Sequence, residues 1–214
     1  MKGVLFIGGK HPQQALSRKL AEDADLIVAA DSGFDITWNQ GIGCNYVVGD
    51  MDSTRFLKVI DKLPGNKVIR MPKEKDETDT EIGLRVLYEK GATKKILIGG
   101  GGGRLDHLIG IIILFHRDIR PDEWYTDKEV IISIDKKTIL REMKGETVSF
   151  FPVGEEECRM KSEGLKWPLD NLKWKRGDAG ISNLITSERM IVEPVSGRLI
   201  CIFSNRQAGR KKYE

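Results

Sequence analysis

The chain has 214 residues, of which 40% are hydrophobic and 31% are charged, and this composition excludes a disordered chain. Its net charge of +3 comes from 35 basic and 32 acidic residues, an excess too small to indicate nucleic acid binding. The longest apolar run, residues 108–115, is too short to span a bilayer, and three cysteines without a metal-binding pattern favour a reducing compartment. We therefore expect a cytoplasmic protein with no membrane or nucleic acid partner.

The first half of the chain alternates short apolar runs with helical patterns. Strands are predicted at residues 3–9, 25–30, 46–48, 67–70 and 95–98. Helices are predicted at residues 12–24, 78–90 and 105–115. The opening segment, MKGVLFIGG, is typical of a first buried strand rather than a signal peptide. Alternation of this kind predicts a mostly parallel sheet covered by helices, an α/β nucleotide-binding domain over residues 1–125.

The second half has short runs rich in β-forming residues, separated by turn signals. These runs cover residues 129–134, 147–153, 188–192 and 198–204. They predict a small antiparallel β-sandwich or barrel over residues 126–214, with the boundary between 120 and 130. The basic tail, residues 206–214, is expected to be a solvated end.

An acidic motif, GDMDS, follows the third predicted strand. Asp50 and Asp52 are two residues apart, so on extended backbone they point the same way. Because two like charges this close are unfavourable unless a cation lies between them, the pair suggests a Mg²⁺ site. A turn in which Asp52 or Ser53 caps a helix is an equally good interpretation of this motif alone.

A second acidic motif, KDETD at residues 75–79, precedes a helix. Asp76 and Asp79 can share one side of the helix start, where the helix dipole favours acids. Thr78 and Glu81 form a capping-box pattern, so these residues could be caps only. The density of acids, taken with Asp50 and Asp52, favours a metal site.

Five consecutive glycines, residues 99–103, lead from a predicted strand into a helix. Such a run is entropically costly, and it would allow phosphate to approach the backbone amides. It matches neither a Walker loop nor a dinucleotide fingerprint. Arg104 can bind phosphate oxygens, and Asp106 could join the metal or accept a proton. His107 is more often a packed, hydrogen-bonded histidine than a substrate contact.

A fourth segment, Asp31-Ser32-Gly33, ends the second predicted strand. Asp31 could hold a ribose hydroxyl or a phosphate-bound water, and a simple Asp-Ser-Gly turn is about as good an interpretation. All four segments follow predicted strands, where open α/β sheets bind ligands. Together they indicate phosphoryl-type transfer with a divalent metal, and no set of residues suggests a covalent nucleophile.

The motifs GDMDS (49–53), KDETD (75–79) and GGRLDH (102–107), in this order and spacing, resemble the thiamine pyrophosphokinase family. In the second half, GLKWPL (164–169) and GISN (180–183) also resemble that family, so the resemblance covers most of the chain. It implies an enzyme that converts ATP and thiamine to AMP and thiamine diphosphate with Mg²⁺. It further implies a homodimer that binds thiamine between its subunits.

Carried over by motif position, the resemblance implies a role for each matching residue. Mg²⁺ and the triphosphate would be held by Asp50, Asp52 and Asp79, and Arg104 would clamp phosphate beside Asp106. The nucleotide side would further include Asp31, Ser32, Gly33, Lys75, Asp76, Thr78, Gly101, Gly102, Gly103 and His107. Thiamine would contact Trp167, Ser182 and Asn183. Ser32 stands where the family often has a glycine at its nucleotide contact, and Met51 stands where it commonly has phenylalanine, an apolar exchange that should leave the metal site unaffected.

The mechanism we expect is in-line attack of the thiamine hydroxyl on the β-phosphorus, with Asp106 or Asp52 accepting the proton. Two rivals stay open on the sequence alone. One is a kinase that transfers only the γ-phosphate to a related alcohol. The other is a nucleotide-sensing or RNA-binding module, which the dense acids beside the glycine run disfavour.

Overall fold

The computed structural model describes residues 1–205 as two compact units. Unit 1 comprises Met1–Leu114 and Ile119–Asp127, and unit 2 comprises Phe115–Asp118 and the chain from residue 128 onward. The basic tail, residues 206–214, for which a solvated end is expected, lies outside the described residues.

Unit 1 is built on six parallel strands with helices between them. Its strands are β1 (Lys2–Phe6), β2 (Leu26–Ala30), β3 (Tyr46–Gly49), β4 (Val68–Arg70), β5 (Lys94–Ile98) and β6 (Glu123–Tyr125). Its helices are α1 (Gln14–Glu22), α2 (Gly33–Asn39), α3 (Leu57–Ile60), α4 (Asp79–Glu89) and α5 (Leu105–Leu114), with a 3₁₀ turn at Gly65–Lys67. The α/β class predicted from the alternating pattern is confirmed, whereas α2, α3 and β6 were not predicted.

Strand order in unit 1 is β6-β5-β1-β2-β3-β4, and every neighbouring pair is parallel. From β1 the chain proceeds outward through β2, β3 and β4, and it then returns past β1 to form β5 and β6 on the other side. The direction of winding therefore reverses between β1 and β5. In open α/β sheets, ligands bind at the carboxyl ends of the strands beside such a reversal.

The core of unit 1 is centred on β1 and its neighbours. Val4, Leu5 and Phe6 of β1, together with Leu97 and Ile98 of β5, are fully buried. Strands covered on both faces are continuous apolar runs, which is why these segments are recognisable in the sequence. Burial of such side chains stabilises the fold by about 1.5–3 kcal/mol each, so the strand ends that carry polar residues are held on a rigid base.

Helix α4 begins at a defined residue because its first turn is capped. Thr78 Oγ1 accepts a hydrogen bond from Glu81 N at 3.3 Å, and Thr78 N donates to Glu81 Oε2 at 2.7 Å. The predicted capping box is thus confirmed. Its consequence for the site is that Asp79 is the first helical residue, at the positive end of the helix dipole.

Unit 2 consists of two antiparallel sheets, as the predicted β-sandwich class requires. Its strands are β7 (Glu129–Ile134), β8 (Thr138–Arg141), β9 (Thr147–Val153), β10 (Arg159–Glu163), β11 (Gly180–Leu184), β12 (Arg189–Ser196) and β13 (Arg198–Ser204). One sheet has the order β11-β9-β13-β7 and the other the order β10-β12-β8. Buried residues such as Val130, Phe150, Met190 and Leu199 form the core.

Three strands of unit 2 were not predicted from the sequence, and the reasons are local. β8 has only four residues, and β10 buries only Met160 of its five. β11 contains glycine and asparagine, which are rare in strands. Over residues 1–205 the longest helix has 11 residues, so no helix there is long and apolar enough to cross a bilayer.

Candidate active site

Three carboxylates converge at the carboxyl edge of the unit 1 sheet. Asp31 follows β2, Asp50 follows β3, and Asp79 begins α4. One oxygen from each of the three residues lies within 4.8 Å of those of the other two. They meet because β2 and β3 are parallel neighbours that end at the same edge. Three partly buried negative charges at this separation are unfavourable unless a cation lies among them.

The position of the Asp79 carboxylate depends on a glycine at the end of β3. Gly49 has a φ of +126°, which L side chains rarely adopt. A Cβ at this residue would lie 2.9 Å from Asp79 Oδ1 and 3.0 Å from its Cγ. Asp31, on the neighbouring strand end, has a φ of +47°, and its Oδ1 accepts a hydrogen bond from Ser53 N at 3.2 Å. Glycine at residue 49 therefore allows helix α4 to place its carboxylate against the sheet.

Lys75 supplies a cation to this cluster. Its Nζ lies 3.2 Å from Asp79 Oδ1 and 3.6 Å from Asp50 Oδ2, and it donates a hydrogen bond to Pro72 O at 3.2 Å. Only 12% of the Lys75 side chain is exposed, so these ion pairs are shielded from solvent. The sequence placed Lys75 on the nucleotide side, whereas in this structure its ammonium faces the carboxylates.

Asp79 is the most perturbed member of the cluster. Burial raises the pKa of its carboxyl, the negative charges of Asp50 and Asp31 raise it further, and the Lys75 ammonium opposes both effects. Its Oδ1 is fully buried and makes no hydrogen bond, because Lys75 Nζ is at ion-pair distance but outside hydrogen-bonding geometry. A buried carboxylate oxygen without a hydrogen bond is rare in folded proteins.

These residues fit a divalent cation. Carboxylate oxygens are the protein ligands that Mg²⁺ prefers, and the unsatisfied Oδ1 of Asp79 faces two further carboxylates. Neighbouring oxygens on an octahedral Mg²⁺ are about 3.0 Å apart, so carboxylate oxygens that lie within 4.8 Å of one another reach one ion if each moves inward by about 1 Å or less. Asp31, Asp50 and Asp79 could therefore hold such an ion, with other positions left for phosphate oxygens and water.

Asp52 lies outside this cluster. Its carboxylate is exposed and forms an ion pair with Lys73 Nζ at 2.8 Å, and hydrogen bonding from Lys73 lowers the pKa of Asp52. Met51 has a φ of +64°, so the backbone here is a turn rather than an extended strand, and Asp52 N donates a hydrogen bond to Asp50 Oδ1 at 3.1 Å. The alternation of side chains expected for extended backbone therefore does not apply to Asp50 and Asp52. The metal role of Asp52 stays a prediction. Asp31, from the neighbouring strand, takes its place in the cluster.

The other residues predicted at this edge of the sheet make contacts that are explained by the fold. The Thr78 hydroxyl is used by the capping box, donating to Glu81 Oε2 at 2.7 Å, and Asp76 is exposed. Gly33 is buried at the start of α2, and Ser32 precedes it without a capping hydrogen bond from its side chain. These residues lie near the cluster, yet nothing in their contacts assigns them a ligand.

The glycine run after β5 is paired with the loop that follows β1. Gly100 N donates to Gly8 O at 2.7 Å, Lys10 N donates to Gly101 O at 2.7 Å, and Gly101 N donates back to Lys10 O at 2.8 Å. Gly99 N is used by Tyr125 O at 3.0 Å. Over residues 1–205, only the amides of Gly102 and Gly103 within this run have no hydrogen-bond partner, so they are the ones available to phosphate.

The loop of residues 8–10 was missed by sequence reasoning, although a signal existed. Two glycines end the first predicted strand and are followed by Lys10, much as the glycines after β5 are followed by Arg104. Much of the glycine run is thus explained by close packing of two backbones, which differs from the expected reason, approach of phosphate.

Arg104 and Asp106 are paired with each other. Arg104 Nε donates to Asp106 Oδ1 at 3.1 Å, and a second bond joins Nη2 to Oδ2. Hydrogen bonding within the pair raises the pKa of Arg104 and lowers the pKa of Asp106. Both side chains are exposed, as is His107, the next residue of α5. A phosphate that binds Arg104 therefore has to compete with Asp106 for the guanidinium.

In unit 2, the structure brings together Trp167 and Asn183, two of the three residues predicted to contact a second substrate. Asn183 is buried, its Nδ2 donates to Trp167 O at 2.7 Å, and its Oδ1 accepts from Trp167 N at 3.3 Å. The Trp167 side chain is 54% exposed, with Lys166 Nζ 4.6 Å from its ring centroid. Asn183 thus fixes the backbone that presents an accessible aromatic ring.

Ser182, which precedes Asn183 in β11, has an unusual backbone conformation. Its φ is +59°, its N donates to Ser149 Oγ at 3.1 Å, and its side chain is exposed. Non-glycine residues in this region are uncommon and are enriched at binding sites. Trp174, by contrast, is buried in unit 2 and serves packing.

Two family descriptions match this chain. The catalytic domain of thiamin pyrophosphokinase matches residues 17–124, and the vitamin B1 binding domain of thiamin pyrophosphokinase matches residues 129–199. Thiamine pyrophosphokinase 2 of Arabidopsis thaliana is 29% identical over 168 residues, which are 72% of this chain and 62% of that relative. Thiamine pyrophosphokinase of Bacillus subtilis is 29% identical over 192 residues, covering 86% of this chain and 89% of the relative.

Solved structures agree with these sequence relationships. The thiamin pyrophosphokinase of Geobacillus thermodenitrificans superposes with a TM-score of 0.75 at 29% identity, covering 95% of this chain and 97% of the other. The thiamin pyrophosphokinase of Candida albicans superposes with a TM-score of 0.71, covering 95% of this chain and 89% of the other. At 19% identity, the second likeness concerns the fold alone.

Proposed function

The chain belongs to the thiamin pyrophosphokinase family, and from this premise we propose that it transfers the diphosphate group of ATP to the hydroxyl of thiamine. The observation that carries the proposal is the cluster of Asp31, Asp50 and Asp79, with an unsatisfied buried oxygen, at the sheet edge that also holds the glycine run. This equipment suits transfer of a phosphate group, in which positioning and charge neutralisation supply most of the catalysis.

We assign the metal to the carboxylates at this edge. Asp50 and Asp79 are supported both by motif position and by their proximity, and Asp31 is supported by proximity alone. Asp52 remains a predicted ligand on motif position. Mg²⁺ bound there would neutralise charge on the phosphate oxygens of ATP. Lys75, freed from the carboxylates by such an ion, would be available to the phosphates.

The proton and phosphate roles fall to Arg104 and Asp106. When Arg104 turns toward phosphate, Asp106 loses the cation that lowers its pKa and becomes a stronger base. It would then accept the proton of the thiamine hydroxyl as the oxygen bonds to the β-phosphorus and AMP leaves. Asp52 is the second candidate for this proton, and its pKa is lowered in the same way by Lys73.

Thiamine recognition falls to unit 2 in this proposal. Trp167 would offer an exposed aromatic face to the pyrimidine, and the exposed Ser182 would offer a hydroxyl for a hydrogen bond. Asn183 acts by holding the Trp167 backbone in place.

We further propose a homodimer with active sites at the subunit interface. Leu105, Ile109 and Ile113 form a stripe on α5 and are 70%, 50% and 51% exposed. Residues at this spacing lie on one helix face, and an exposed apolar stripe next to a substrate loop suits a subunit contact. The three cysteines are all free, which supports a reducing, cytoplasmic location.

The deciding experiment incubates the protein with ATP, Mg²⁺ and thiamine and identifies both products. We expect AMP and thiamine diphosphate in equal amounts. Formation of ADP and a thiamine monoester would replace the proposal by the γ-phosphate kinase. Retained RNA affinity without any ATP turnover would instead favour the RNA-binding module.

A further inference from the structure

The loop after β1 lies where the winding of unit 1 reverses. β1 and β5 are parallel neighbours, and the loops that follow them, residues 8–10 and 99–103, are joined by three backbone hydrogen bonds. The carboxyl ends of two strands at such a reversal form the usual ligand-binding crevice of an open α/β sheet. The two loops therefore form one wall, and a ligand on the glycine run also meets residues 8–10.

The side chain of Lys10 lies along this wall. A Cβ on Gly102 would come within 2.3 Å of Lys10 Cδ, 2.8 Å of Cγ and 2.9 Å of Cε. Gly102 has a φ of +59°, so glycine at this residue both allows the turn and leaves room for the lysine stem. The stem thus lies against Gly102, one of the two glycines whose amides are available to phosphate.

Lys10 also differs from the other cations of the site in having no partner. Arg104 is bound by Asp106, and Lys75 and Lys73 are bound by carboxylates of the acidic motifs. Within the described part of the chain, the Lys10 ammonium makes no ion pair or hydrogen bond, and the side chain is exposed. Because the Lys10 ammonium is not paired with a carboxylate, no ion pair has to be broken before it binds a phosphate group.

We propose that Lys10 is a phosphate-binding residue that contacts the triphosphate of the nucleotide together with the amides of Gly102 and Gly103. The inference rests on the proposed function, because it assumes that ATP binds at this edge. It adds a charged contact from the loop after β1, which lies outside residues 17–124, the region matched by the catalytic domain of the family.

The test is Lys10→Met, which keeps the stem against Gly102 and removes only the charge. Binding of Mg²⁺ with a non-hydrolysable ATP analogue is measured by calorimetry, and KM is measured for ATP and for thiamine. Two variants serve as controls. Lys10→Arg keeps the positive charge at residue 10, and Lys19→Met removes a positive charge from an exposed residue of α1. We expect Lys10→Met to weaken binding of the ATP analogue about tenfold and to raise KM for ATP more than KM for thiamine, with an unchanged melting temperature.

Lys10→Arg should bind within about threefold of the unmodified protein, and Lys19→Met should match it. Unchanged ATP affinity in Lys10→Met, or an equal loss in Lys19→Met, would overturn the role of Lys10. A fall in melting temperature without weaker ATP binding would do the same, because it would show a structural role. Failure of the proposed function appears separately, as absence of AMP from the unmodified protein.

Discussion

Replacing Gly49 by alanine perturbs the acidic cluster through a single methyl group. Two costs add at this residue. Holding alanine at a φ of +126° costs about 1–3 kcal/mol, and forcing a methyl group to within 2.9 Å of Asp79 Oδ1 costs a further 1–3 kcal/mol or so. We expect a destabilisation of about 2–6 kcal/mol, equivalent to a fall in melting temperature of roughly 4–24 °C.

The assay is thermal unfolding, without metal, of the unmodified protein and four variants: Gly49→Ala, Gly41→Ala, Asp79→Ala and the double variant Gly49→Ala/Asp79→Ala. Gly41→Ala is the first control, because Gly41 has a φ of +66° and no atom within 4 Å of an added Cβ. It should lose only about 1–2 kcal/mol. The second control repeats Gly49→Ala in an Asp79→Ala background, where the colliding carboxylate is gone. There the cost of the methyl group should fall by about 1–3 kcal/mol.

Additive losses of stability in Gly49→Ala and Asp79→Ala would refute the proposed close contact between residues 49 and 79. If Gly49→Ala costs the same with and without the Asp79 carboxylate, the close approach does not exist in solution and the geometry of the cluster is wrong. If the coupling is present, Gly49→Ala should also reduce turnover, since Asp79 can no longer sit beside Asp50.

Three further outcomes are expected. Asp79→Ala should lower turnover by about two orders of magnitude or more with the fold retained by circular dichroism, and near-normal AMP formation would exclude Asp79 as a metal ligand. Trp167→Ala should raise KM for thiamine by roughly threefold to tenfold and leave KM for ATP nearly unchanged, and an unaltered thiamine KM would exclude stacking. Burial raises the pKa of Cys44 to about 11, from 9.0, so its alkylation rate should keep rising up to about pH 11. Between pH 9 and about pH 11 the folded Cys44 thiol keeps its proton while the unfolded thiol ionises, so the contribution of Cys44 to the free energy of unfolding falls as pH rises. An alkylation rate that reaches a plateau near pH 9 would contradict the burial of Cys44.

The parts of the fold that could be predicted are those with strong local patterns. The apolar runs of β1 and β5 and the capping box of α4 are contiguous in the chain, and the structure has them where the pattern placed them. Helix α2 was missed because it begins in an Asp-Ser-Gly sequence that equally suits a turn. β10 and β11 were missed because their residues bury little apolar surface.

The candidate site also has features that the local sequence predicts and features that depend on the tertiary structure. The order and spacing of the acidic motifs and the glycine run are properties of the chain itself, and they were enough to indicate a metal, a phosphate and the family. Which acids meet is a property of strand order and of individual φ angles. Asp31 joins Asp50 because β2 and β3 are neighbours, and Asp52, which follows a turn at Met51, is paired with Lys73 outside the cluster.

The same distinction explains why Lys10 and Gly49 drew no attention as part of a sequence. Lys10 is about 90 residues from the glycine run, and only the pairing of the loops after β1 and β5 brings its side chain onto Gly102. Gly49 is one of 23 glycines, and its importance follows from a carboxylate thirty residues later that packs against it. Residue types and their spacing thus specify the chemistry available to this chain. Contacts between distant segments, which depend on topology and backbone conformation, select the residues that carry it out.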